Sequence, residues 1–500
     1  MRIPERFRPI LVDAVAAAGG CLFPFSLAPF EEWPLGILSM VLLVIALDGA
    51  SLRRGLLRFY LFSVGMYGVG TSWIFVSIHE HGGAGVALAG LLVVLFVAGI
   101  SLVALLPAWL WLRFVRPLPL GVLAGFPVMW LAKEWMFTWL LTGFPWLFAG
   151  YGHLDTWLAG YVPIVGVMGV SFLVAAQASA IACATLGRRP VDALVAVVLG
   201  GLICIGGYVW RQVQFVPLSS RVLTVSVVQG NIDQDTKWLR SMVAPILNTY
   251  LDLSKAEWGR DLIVWPEASI TVFRASAVDL LDDLDVRGKA TGSTLVLGIP
   301  DRDEQGHFLN TAVAVGEGYG QYKKRRLVPF GEYVPLESWL RGLIRFFDLP
   351  MSHAIPGPAD QLPMVAAGMR LSVSICYEVV YPELVRTSVT DPGLLITISN
   401  DTWFGHSIGP LQHLEMAQAR ALENGRYLVR GTNNGVTAIV DPLGRVVARL
   451  PQFEKGVLRG EVRQMTGTTP FVRWGSWPVL AFAALLLVVM AGLRFRGAIR

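Results

Sequence analysis

Three residues with reactive side chains follow short apolar runs in the second half of this 500-residue chain. Glu267 ends LIVWPE, Cys376 follows RLSVSI, and the adjacent Lys323 and Lys324 lie between them in YKKRRLVPFGE. A thiol beside a carboxylate and an ammonium is an activated nucleophile. The carboxylate accepts the thiol proton, and the ammonium stabilises both the thiolate and the oxyanion that forms on attack. The residue types therefore predict covalent catalysis by Cys376.

Each of these residues also has an ordinary structural explanation. A glutamate at a strand end is usually a surface residue or a helix cap, a cysteine that ends an apolar strand is usually part of the core, and the basic run 323–326 alone is usually solvated. Cys376 is the one cysteine outside the apolar segments, so it forms no intramolecular disulfide there and is either inert or kept for chemistry. Only the combination and order of the three residues favour a catalytic site.

Short β-branched runs predict the strands that position these residues. They alternate with segments of helical spacing, and apolar runs of this length bounded by Gly, Pro or Asn are typical of buried strands covered by helices. Reactive groups in such sheets collect at the carboxyl ends of the strands, where Glu267 and Cys376 lie. The predicted strands fall near 221–231, 261–267, 294–300, 370–378 and 393–401, and the predicted helices at 240–259, 275–291 and 409–426.

The rest of the chain is strongly apolar. Hydrophobic residues make up 54% of the sequence and charged residues only 15%, against roughly 25% in ordinary globular chains. A spanning helix needs ~20 apolar residues, and for the first apolar run a cleaved signal peptide is the alternative, which the Pro- and Phe-rich sequence after Cys21 disfavours. The runs predict about eight spans, at 8–24, 34–50, 57–78, 84–112, 117–138, 161–186, 191–210 and 476–493.

Basic residues predict the topology of these spans, because short cytoplasmic loops retain Arg and Lys. Nearly all basic residues near the spans fall on one side of the membrane, with Lys133 the exception. These arginines lie before span one, between spans two and three, four and five, and six and seven, and after span eight. Both termini are therefore expected in the cytoplasm. The chain divides into a seven-span transmembrane domain at 1–210, an exterior catalytic domain at 211–475, and a C-terminal span with a basic cytoplasmic tail at 476–500.

The distribution of charge also excludes one class of partner. The formal net charge is +5, but the positive excess lies beside the apolar segments rather than in the polar block. A nucleic-acid-binding protein would carry a basic surface in its soluble part. We therefore expect a lipid bilayer, and no nucleic acid, as a partner.

The order of the motifs resembles that of a known family. WPE, YKKRRLVPFGE and SICYE follow one another with Glu267, Lys324 and Cys376 57 and 52 residues apart, as in the nitrilase (carbon-nitrogen hydrolase) superfamily. VQGNIDQDTKW, SNDTWFG, QHLEMAQARALENGRYLVRGTNNG and the flanking spans are similar to its membrane branch, the apolipoprotein N-acyltransferases. The resemblance implies a multispanning α-helical membrane domain plus an exterior α/β domain of the αββα-sandwich nitrilase type.

The resemblance also implies roles for individual residues. Glu267 corresponds to the general base and Cys376 to the nucleophile. The pattern Tyr-x-Lys-x-x-Leu assigns the catalytic amine to Lys324, with Lys323 a neighbour. Glu332 corresponds to a carboxylate that positions the lysine.

Further implied residues surround the nucleophile. Tyr377 and Glu378 flank it in the manner of the family, and the Tyr377 backbone N–H is placed to donate to an oxyanion. Arg326 stands where His is expected in many relatives, a departure that does not involve the three catalytic residues.

The family reaction is a two-step acyl transfer without cofactor or metal. Cys376 would take an acyl group from a phospholipid as a thioester, and the free α-amine of the diacylglyceryl-cysteine at the N-terminus of an apolipoprotein would then accept it, which gives ping-pong kinetics. The implied location is the bacterial inner membrane, with the catalytic domain in the periplasm.

Apolar residues outside the predicted spans are candidates for substrate contact. The lid segment, residues 337–351, is unusually apolar for an exterior loop and carries Trp339, Phe346 and Phe347. It is either an interfacial lid or a helix that covers the core. Further candidate aromatic surface is provided by Trp238, Trp403 and Phe404, and by Trp146 in GFPWLFAGY as a facing wall.

Two other functions are possible from the residues. A membrane-tethered amidase or nitrilase that acts on small soluble substrates would need the same three residues but only a single anchor. A multispan transporter with an inactive exterior domain is disfavoured by the few ionisable residues inside the spans. His79 and His81 flank Glu80 in an exterior loop, and a solvated loop is favoured over a metal site because no third ligand lies nearby in the sequence.

Overall fold

The computed structural model describes residues 8–187, 190–334, 353–391 and 393–499. The lid segment, with Trp339, Phe346 and Phe347, lies outside the described residues. The chain forms two compact units: one contains the residues up to Phe75, Ala87–Gln214 and the chain from Trp474, and the other contains Val76–Val86 and Phe215–Arg473. We call them the helical unit and the catalytic unit.

Helices form the first unit and flank the sheet of the second. Those of the first half of the chain are α1 (Arg8–Leu22), α2 (Trp33–Leu47), α3 (Leu52–Gly70), α4 (Trp73–Val76), α5 (Val86–Leu110), α6 (Gly125–Met136), α7 (Val162–Thr185) and α8 (Pro190–Arg211). Later helices are α9 (Val243–Ser254), α10 (Val278–Thr291), α11 (Pro382–Ser388), α12 (Gly409–Asn424), α13 (Pro470–Trp474) and α14 (Trp477–Ile499).

The lengths of the apolar helices can be compared with the predicted spans. Among the described residues, five helical stretches are long and apolar enough to cross a membrane, and the bent pair Leu52–Gly70 and Trp73–His81 would make a sixth. The predicted runs 34–50 and 117–138 contain shorter helices, α2 with 15 residues and α6 with 12. The count of eight spans stays a prediction.

Asp13, which interrupts the first apolar run, is neutralised within the helical unit. Its carboxylate accepts a hydrogen bond from Arg58 Nε at 2.9 Å and also pairs with Arg54. Helices α1 and α3 also approach closely at Gly20: a Cβ on this residue would lie 1.9 Å from the carbonyl oxygen of Phe62. Small residues let helices approach closely in membranes, so glycine is required where α1 meets α3.

The catalytic unit is built on one sheet with two similar halves. β1, β2 and β3 pair in parallel and continue antiparallel into β4 and β5; β7, β8 and β9 pair in parallel and continue antiparallel into β10 and β11. β12 joins the halves by antiparallel pairing with β1 and one pairing with β8. The strands are β1 (Leu218–Gln229), β2 (Leu262–Val264), β3 (Thr294–Arg302), β4 (Phe308–Gly316), β5 (Gln321–Lys323), β6 (Met364–Ala366), β7 (Met369–Ile375), β8 (Gly393–Ser399), β9 (Leu428–Thr432), β10 (Ala438–Val440), β11 (Val446–Arg449) and β12 (Gly456–Met465).

Two apolar cores result from the alternation of side chains along the strands. Leu262 and Val264 of β2 lie in a core that also contains Val373 of β7 and Ile396 of β8, so this core is shared by both halves of the sheet. Ile263, between them, lies in a second core with residues of α9 and α10. On the other half, α11 contacts β7 and α12 contacts β9. Helices therefore cover two facing half-sheets, which is the expected αββα sandwich.

Candidate active site

Glu267 lies just beyond the carboxyl end of β2, where the chain passes close to β3. A Cβ on Gly298 of β3 would lie 2.7 Å from the Glu267 Cα, so only glycine allows this approach. The Glu267 side chain is 4% exposed. The parallel pairing of β2 with β3 thus delivers a carboxylate into the protein interior.

Three donors hold the Glu267 carboxylate. Oε1 accepts from the Asn310 side-chain amide at 2.7 Å and from Lys324 Nζ at 3.4 Å, and Oε2 accepts from the backbone N–H of Asn400 at 2.8 Å. Oε1 therefore has both lone pairs engaged. Oε2 accepts from one donor among the described residues, the Asn400 N–H, and has a lone pair left to accept a proton.

Lys324 lies between two carboxylates. Its ammonium donates to Glu332 Oε1 at 2.8 Å as well as to Glu267, and its side chain is 1% exposed. Burial disfavours the ammonium, but the charges of Glu332 and Glu267 raise the pKa of Lys324 above its ordinary value. Lys323 is partly exposed, and its backbone N–H donates to Gln361. The structure thus brings Glu267, Lys324 and Glu332 together and leaves Lys323 outside the cluster.

Cys376 is the first residue after β7 and has φ of +53°. This left-handed conformation costs a residue with a Cβ of order 1–3 kcal/mol and persists only where surrounding contacts enforce it. Cys376 as a whole residue is partly exposed, but its thiol group is buried. Burial raises its pKa well above the ordinary value, the charge of Glu267 adds to the rise, and Lys324 opposes it. The resting side chain is therefore a neutral thiol that feels the charges of both residues.

Glu378 ties the lysine-bearing loop to the nucleophile. Its Oε1 accepts from the Tyr322 hydroxyl at 3.0 Å and from the backbone N–H groups of Arg325 and Arg326 at 2.7 and 3.0 Å. Its Oε2 accepts from the backbone N–H of Ile375 at 2.8 Å. One buried carboxylate thus bridges the residues on either side of Lys324 and the residue that precedes Cys376.

Tyr377 is buried and packs edge-on against Tyr381, with ring centroids 5.3 Å apart. Arg326 lies over the other ring of this pair, 5.4 Å from the centroid of Tyr381. Aromatic packing therefore fixes Tyr377, the residue that follows Cys376 in the chain.

Sequence reasoning did not single out Asn310, Asn400 or Lys237, although each contacts Glu267. Lys237 is fully buried and donates to the Glu267 backbone carbonyl at 3.2 Å. Burial lowers the pKa of Lys237 to about 8, and the charge of Glu267 opposes this effect. Asn310 was detectable as a lone amide in the apolar strand FLNTAVAVG, but nothing in the sequence marks its partner.

The predicted aromatic contacts occupy different environments. Trp238 is partly buried, with the Lys237 ammonium 5.9 Å from its ring centroid. Trp403 is also partly buried, whereas Phe404 is 9% exposed and packs against His413. Trp146, in the helical unit, is 1% exposed. Their roles in substrate contact stay predictions.

His79, Glu80 and His81, predicted to lie in a loop, instead form a helical turn, Ser77–His81, which belongs to the catalytic unit. Ser77 Oγ donates to the Trp403 backbone carbonyl at 2.7 Å, and the His81 ring lies 6.0 Å from that of Trp403. The described residues contain no cluster of three or more His, Cys, Asp or Glu side chains able to hold a metal ion. This helical turn therefore packs on the segment that follows β8.

Comparison with known proteins agrees with this architecture. The family model described as carbon-nitrogen hydrolase matches residues 224–471, and that described as apolipoprotein N-acyltransferase N-terminal domain matches residues 19–180. An amidase from Nesterenkonia sp. is similar in structure, at 18% identity and a TM-score of 0.35, over 50% of this chain and 92% of that chain. On the family model alone, residues 224–471 form a carbon-nitrogen hydrolase domain.

The relatives extend the similarity to nearly the whole chain. An apolipoprotein N-acyltransferase from Pseudomonas paraeruginosa is 45% identical over 96% of this chain and 96% of its own length, and one from Azotobacter vinelandii is 46% identical over 95% and 94%. The chain belongs to the apolipoprotein N-acyltransferase family. Its relatives and its long apolar helices together indicate a membrane protein.

Proposed function

We propose that this protein transfers an acyl group from a phospholipid to the α-amine of a diacylglyceryl-cysteine at the N-terminus of apolipoproteins. The observation that carries the proposal is the buried cluster in which Lys324 donates to Glu267 and Glu332, with the Cys376 thiol in the field of both Glu267 and Lys324. The names of the relatives, which cover 96% of the chain, support the choice of substrates. Together they favour a Glu267-Lys324-Cys376 triad.

In the first step, Cys376 attacks the ester carbonyl carbon of the phospholipid. Its thiol proton passes to Glu267 as the carbon–sulfur bond forms, and Oε2 is the oxygen with capacity to accept it. The Lys324 ammonium stabilises the oxyanion. When the ester carbon–oxygen bond breaks, Glu267 returns the proton to the leaving alkoxide, so that lysophospholipid departs and a thioester remains.

In the second step, the acceptor amine attacks the thioester. The acceptor first loses one proton to solvent, because only the neutral amine is nucleophilic. Glu267 takes a second proton as the carbon–nitrogen bond forms and delivers it to the departing Cys376 sulfur, which restores the thiol. The raised pKa keeps the resting Cys376 a neutral thiol, so the attack in the first step needs a base such as Glu267 to take its proton.

Glu332 and Glu378 act on the triad as positioning residues in this scheme. Glu332 supplies the closer of the two carboxylates that hold the Lys324 ammonium. Glu378 links the lysine loop with the residue before Cys376 through four hydrogen bonds. Both keep the ammonium and the thiol in a fixed relation while protons move through Glu267.

Mass spectrometry of the full-length protein in phospholipid vesicles tests the proposal. The intact mass should increase by one acyl group on Cys376, and a synthetic diacylglyceryl-cysteine peptide should remove the adduct and become N-acylated. Cys376→Ala is the control and should show neither change. A wild-type protein that is acylated by a small soluble amide but never by phospholipid would contradict the proposal.

A membrane-tethered amidase would instead be acylated on Cys376 by a small soluble amide and not by phospholipid. It does not account for similarity that includes the N-terminal domain of the family at residues 19–180. The full-length agreement with the acyltransferase relatives favours phospholipid and lipoprotein substrates instead.

The proposal includes a location in the bacterial inner membrane, with residues 211–475 in the periplasm, residues 1–210 and 476–500 as membrane domains, and both termini in the cytoplasm. Arg and Lys on one side of the predicted spans support this topology. In a variant without native cysteines, Leu362→Cys adds one thiol at a side chain that is 85% exposed. An impermeant thiol reagent should label it in intact spheroplasts, and a reporter fused after Arg500 should behave as cytoplasmic. Labelling only after lysis would contradict the topology.

A further inference from the structure

The carbonyl oxygen of Cys376 accepts a partly buried hydrogen bond that the proton-transfer scheme does not use. His413 Nε2, on α12, lies 3.2 Å from this oxygen. A carbonyl oxygen can only accept, so Nε2 must carry a hydrogen and donate it, whatever the protonation of Nδ1. His413 therefore holds one end of the peptide group that joins Cys376 to Tyr377, next to the strained φ of +53°.

A network of buried polar residues in turn fixes the His413 ring. Asp401 Oδ1 lies 3.0 Å from Nδ1, and Arg430 donates to Asp401 Oδ2 at 2.6 Å. The Ser399 hydroxyl donates to Asp401 Oδ1 at 2.6 Å. None of these four side chains is more than 1% exposed. The charges of Asp401 and Arg430 compensate each other, as a buried pair requires.

Asp401 stays ionised in this network. Burial favours its neutral form, but Arg430 and His413 outweigh that effect and hold the pKa of Asp401 well below its ordinary value. The carboxylate therefore remains an acceptor throughout the neutral pH range. Burial and the charge of Arg430 lower the pKa of His413, so the ring is neutral and its Nδ1 accepts from Arg430 Nη2 at 3.0 Å. The imidazole is thus held by the Arg430–Asp401 pair on one side and by the Cys376 carbonyl on the other.

The planarity of the peptide bond transmits this constraint to Tyr377. In a trans peptide the C=O and the following N–H point in opposite directions. His413 fixes the direction of the Cys376 C=O and so also fixes the direction of the Tyr377 N–H. We infer that His413, held by Asp401 and Arg430, is a positioning residue that orients the Tyr377 backbone N–H as an oxyanion donor for the acyl intermediates on Cys376.

This inference rests on the proposed acyl transfer. It predicts that loss of the His413 contact slows acylation of Cys376 but not alkylation of the same thiol. Acylation of Cys376 passes through an oxyanion, whereas alkylation by iodoacetamide displaces iodide from a saturated carbon and forms none. Loss of one oxyanion donor slows acylation by about 10²–10³-fold in other enzymes. Misorientation of the Tyr377 N–H should slow acylation alone and leave thiol alkylation nearly unchanged.

His413→Gln and His413→Asn form a matched pair for the test. The glutamine amide nitrogen can reach the position of Nε2, and the asparagine amide is one bond shorter. With a short p-nitrophenyl ester as acyl donor to the full-length protein, acylation should be at least about 10²-fold slower in the asparagine variant and within about tenfold of wild type in the glutamine variant. Alkylation by iodoacetamide should stay within about threefold in both.

Asp401→Asn provides a second variant, in which the His413 ring is less firmly held. It should likewise slow acylation of Cys376 and leave its alkylation by iodoacetamide nearly unchanged. The inference is overturned if acylation and alkylation fall by the same factor, or if the asparagine and glutamine variants acylate at equal rates. Its failure is distinguishable from failure of the proposed function, because in the latter case phospholipid does not acylate the wild-type Cys376 either.

Discussion

Replacement of Glu332 by glutamine should destabilise the catalytic unit and slow acylation together. The glutamate oxygens accept from Lys324 Nζ at 2.8 Å, Asn310 Nδ2 at 3.0 Å and the Val328 backbone N–H at 2.9 Å. Glutamine offers one oxygen and one NH₂ group to these three donors, so at least one donor must face another. The substitution also removes one of the two carboxylates that neutralise the buried Lys324 ammonium.

The magnitude follows from the burial of the cluster. Removal of one partner of a buried ion pair costs about 3–5 kcal/mol. Glu267 remains 3.4 Å from the ammonium, so we expect the lower end, about 3 kcal/mol. For a unit of this size that corresponds to a fall of about 6–12 °C in the thermal midpoint. Acylation of Cys376 should slow by about 10²-fold, because the ammonium moves toward the general base and away from the oxyanion.

Glu383→Gln is the matched control. Glu383 pairs with Arg386 at 2.6 Å but is 43% exposed, and exposed pairs contribute at most about 1 kcal/mol. The assays are tryptophan fluorescence during heating in detergent micelles and the rate at which the Cys376 acyl adduct appears in the mass spectrum. The reasoning is refuted if the Glu332 and Glu383 variants have equal thermal midpoints and equal acylation rates.

Three further predictions concern the triad and its neighbours. Cys376→Ser should abolish the acyl adduct in the mass spectrum, because a hydroxyl is too weak an acid for activation by this base; an acylated serine at the wild-type rate would contradict the assignment. Lys324→Ala should eliminate adduct formation, and Lys323→Ala, measured in the same way, should retain most of it because its side chain lies outside the cluster; equal losses would show that the wrong lysine is assigned. Burial lowers the pKa of Lys237 from 10.5 to about 8, so this residue binds fewer protons in the folded than in the unfolded state between these values and contributes a rise in stability with pH of up to about 3 kcal/mol. Lys237→Met should remove that rise in thermal midpoints measured from pH 7 to 10, and an unchanged slope would count against the buried lysine as its origin.

Several features of the fold were predictable because their causes are local. Apolar runs and their lengths indicate helices long enough for a membrane, and β-branched runs between polar segments indicate buried strands. The run 117–138 shows the limit of this reasoning. Its hydropathy predicts a full span, but the helix within it covers only Gly125–Met136, since hydropathy reports the preference of a segment for lipid and not where its backbone stays helical.

The candidate site was predictable only in part. Glu267, Lys324 and Cys376 were identified from their motifs, and the family pattern Tyr-x-Lys-x-x-Leu favoured Lys324 over Lys323. The donor to Glu267 Oε2 comes from Asn400, 133 residues away along the chain. No local pattern predicts that contact, because it depends on how β2 and β8 come together in the sandwich.

By itself the sequence determined that long apolar helices are present, the order of the motifs along the chain and the types of the reactive groups, since each depends on composition or spacing within short segments. The tertiary structure alone decided which oxygen of Glu267 can accept a proton and how two carboxylates share the Lys324 ammonium. It also decided that His413 donates a hydrogen bond to the Cys376 carbonyl. Buried charges and strained backbone are stable only when partners from distant segments reach them through space. Those partners are determined when the two half-sheets pack together, a step that no short segment of sequence encodes.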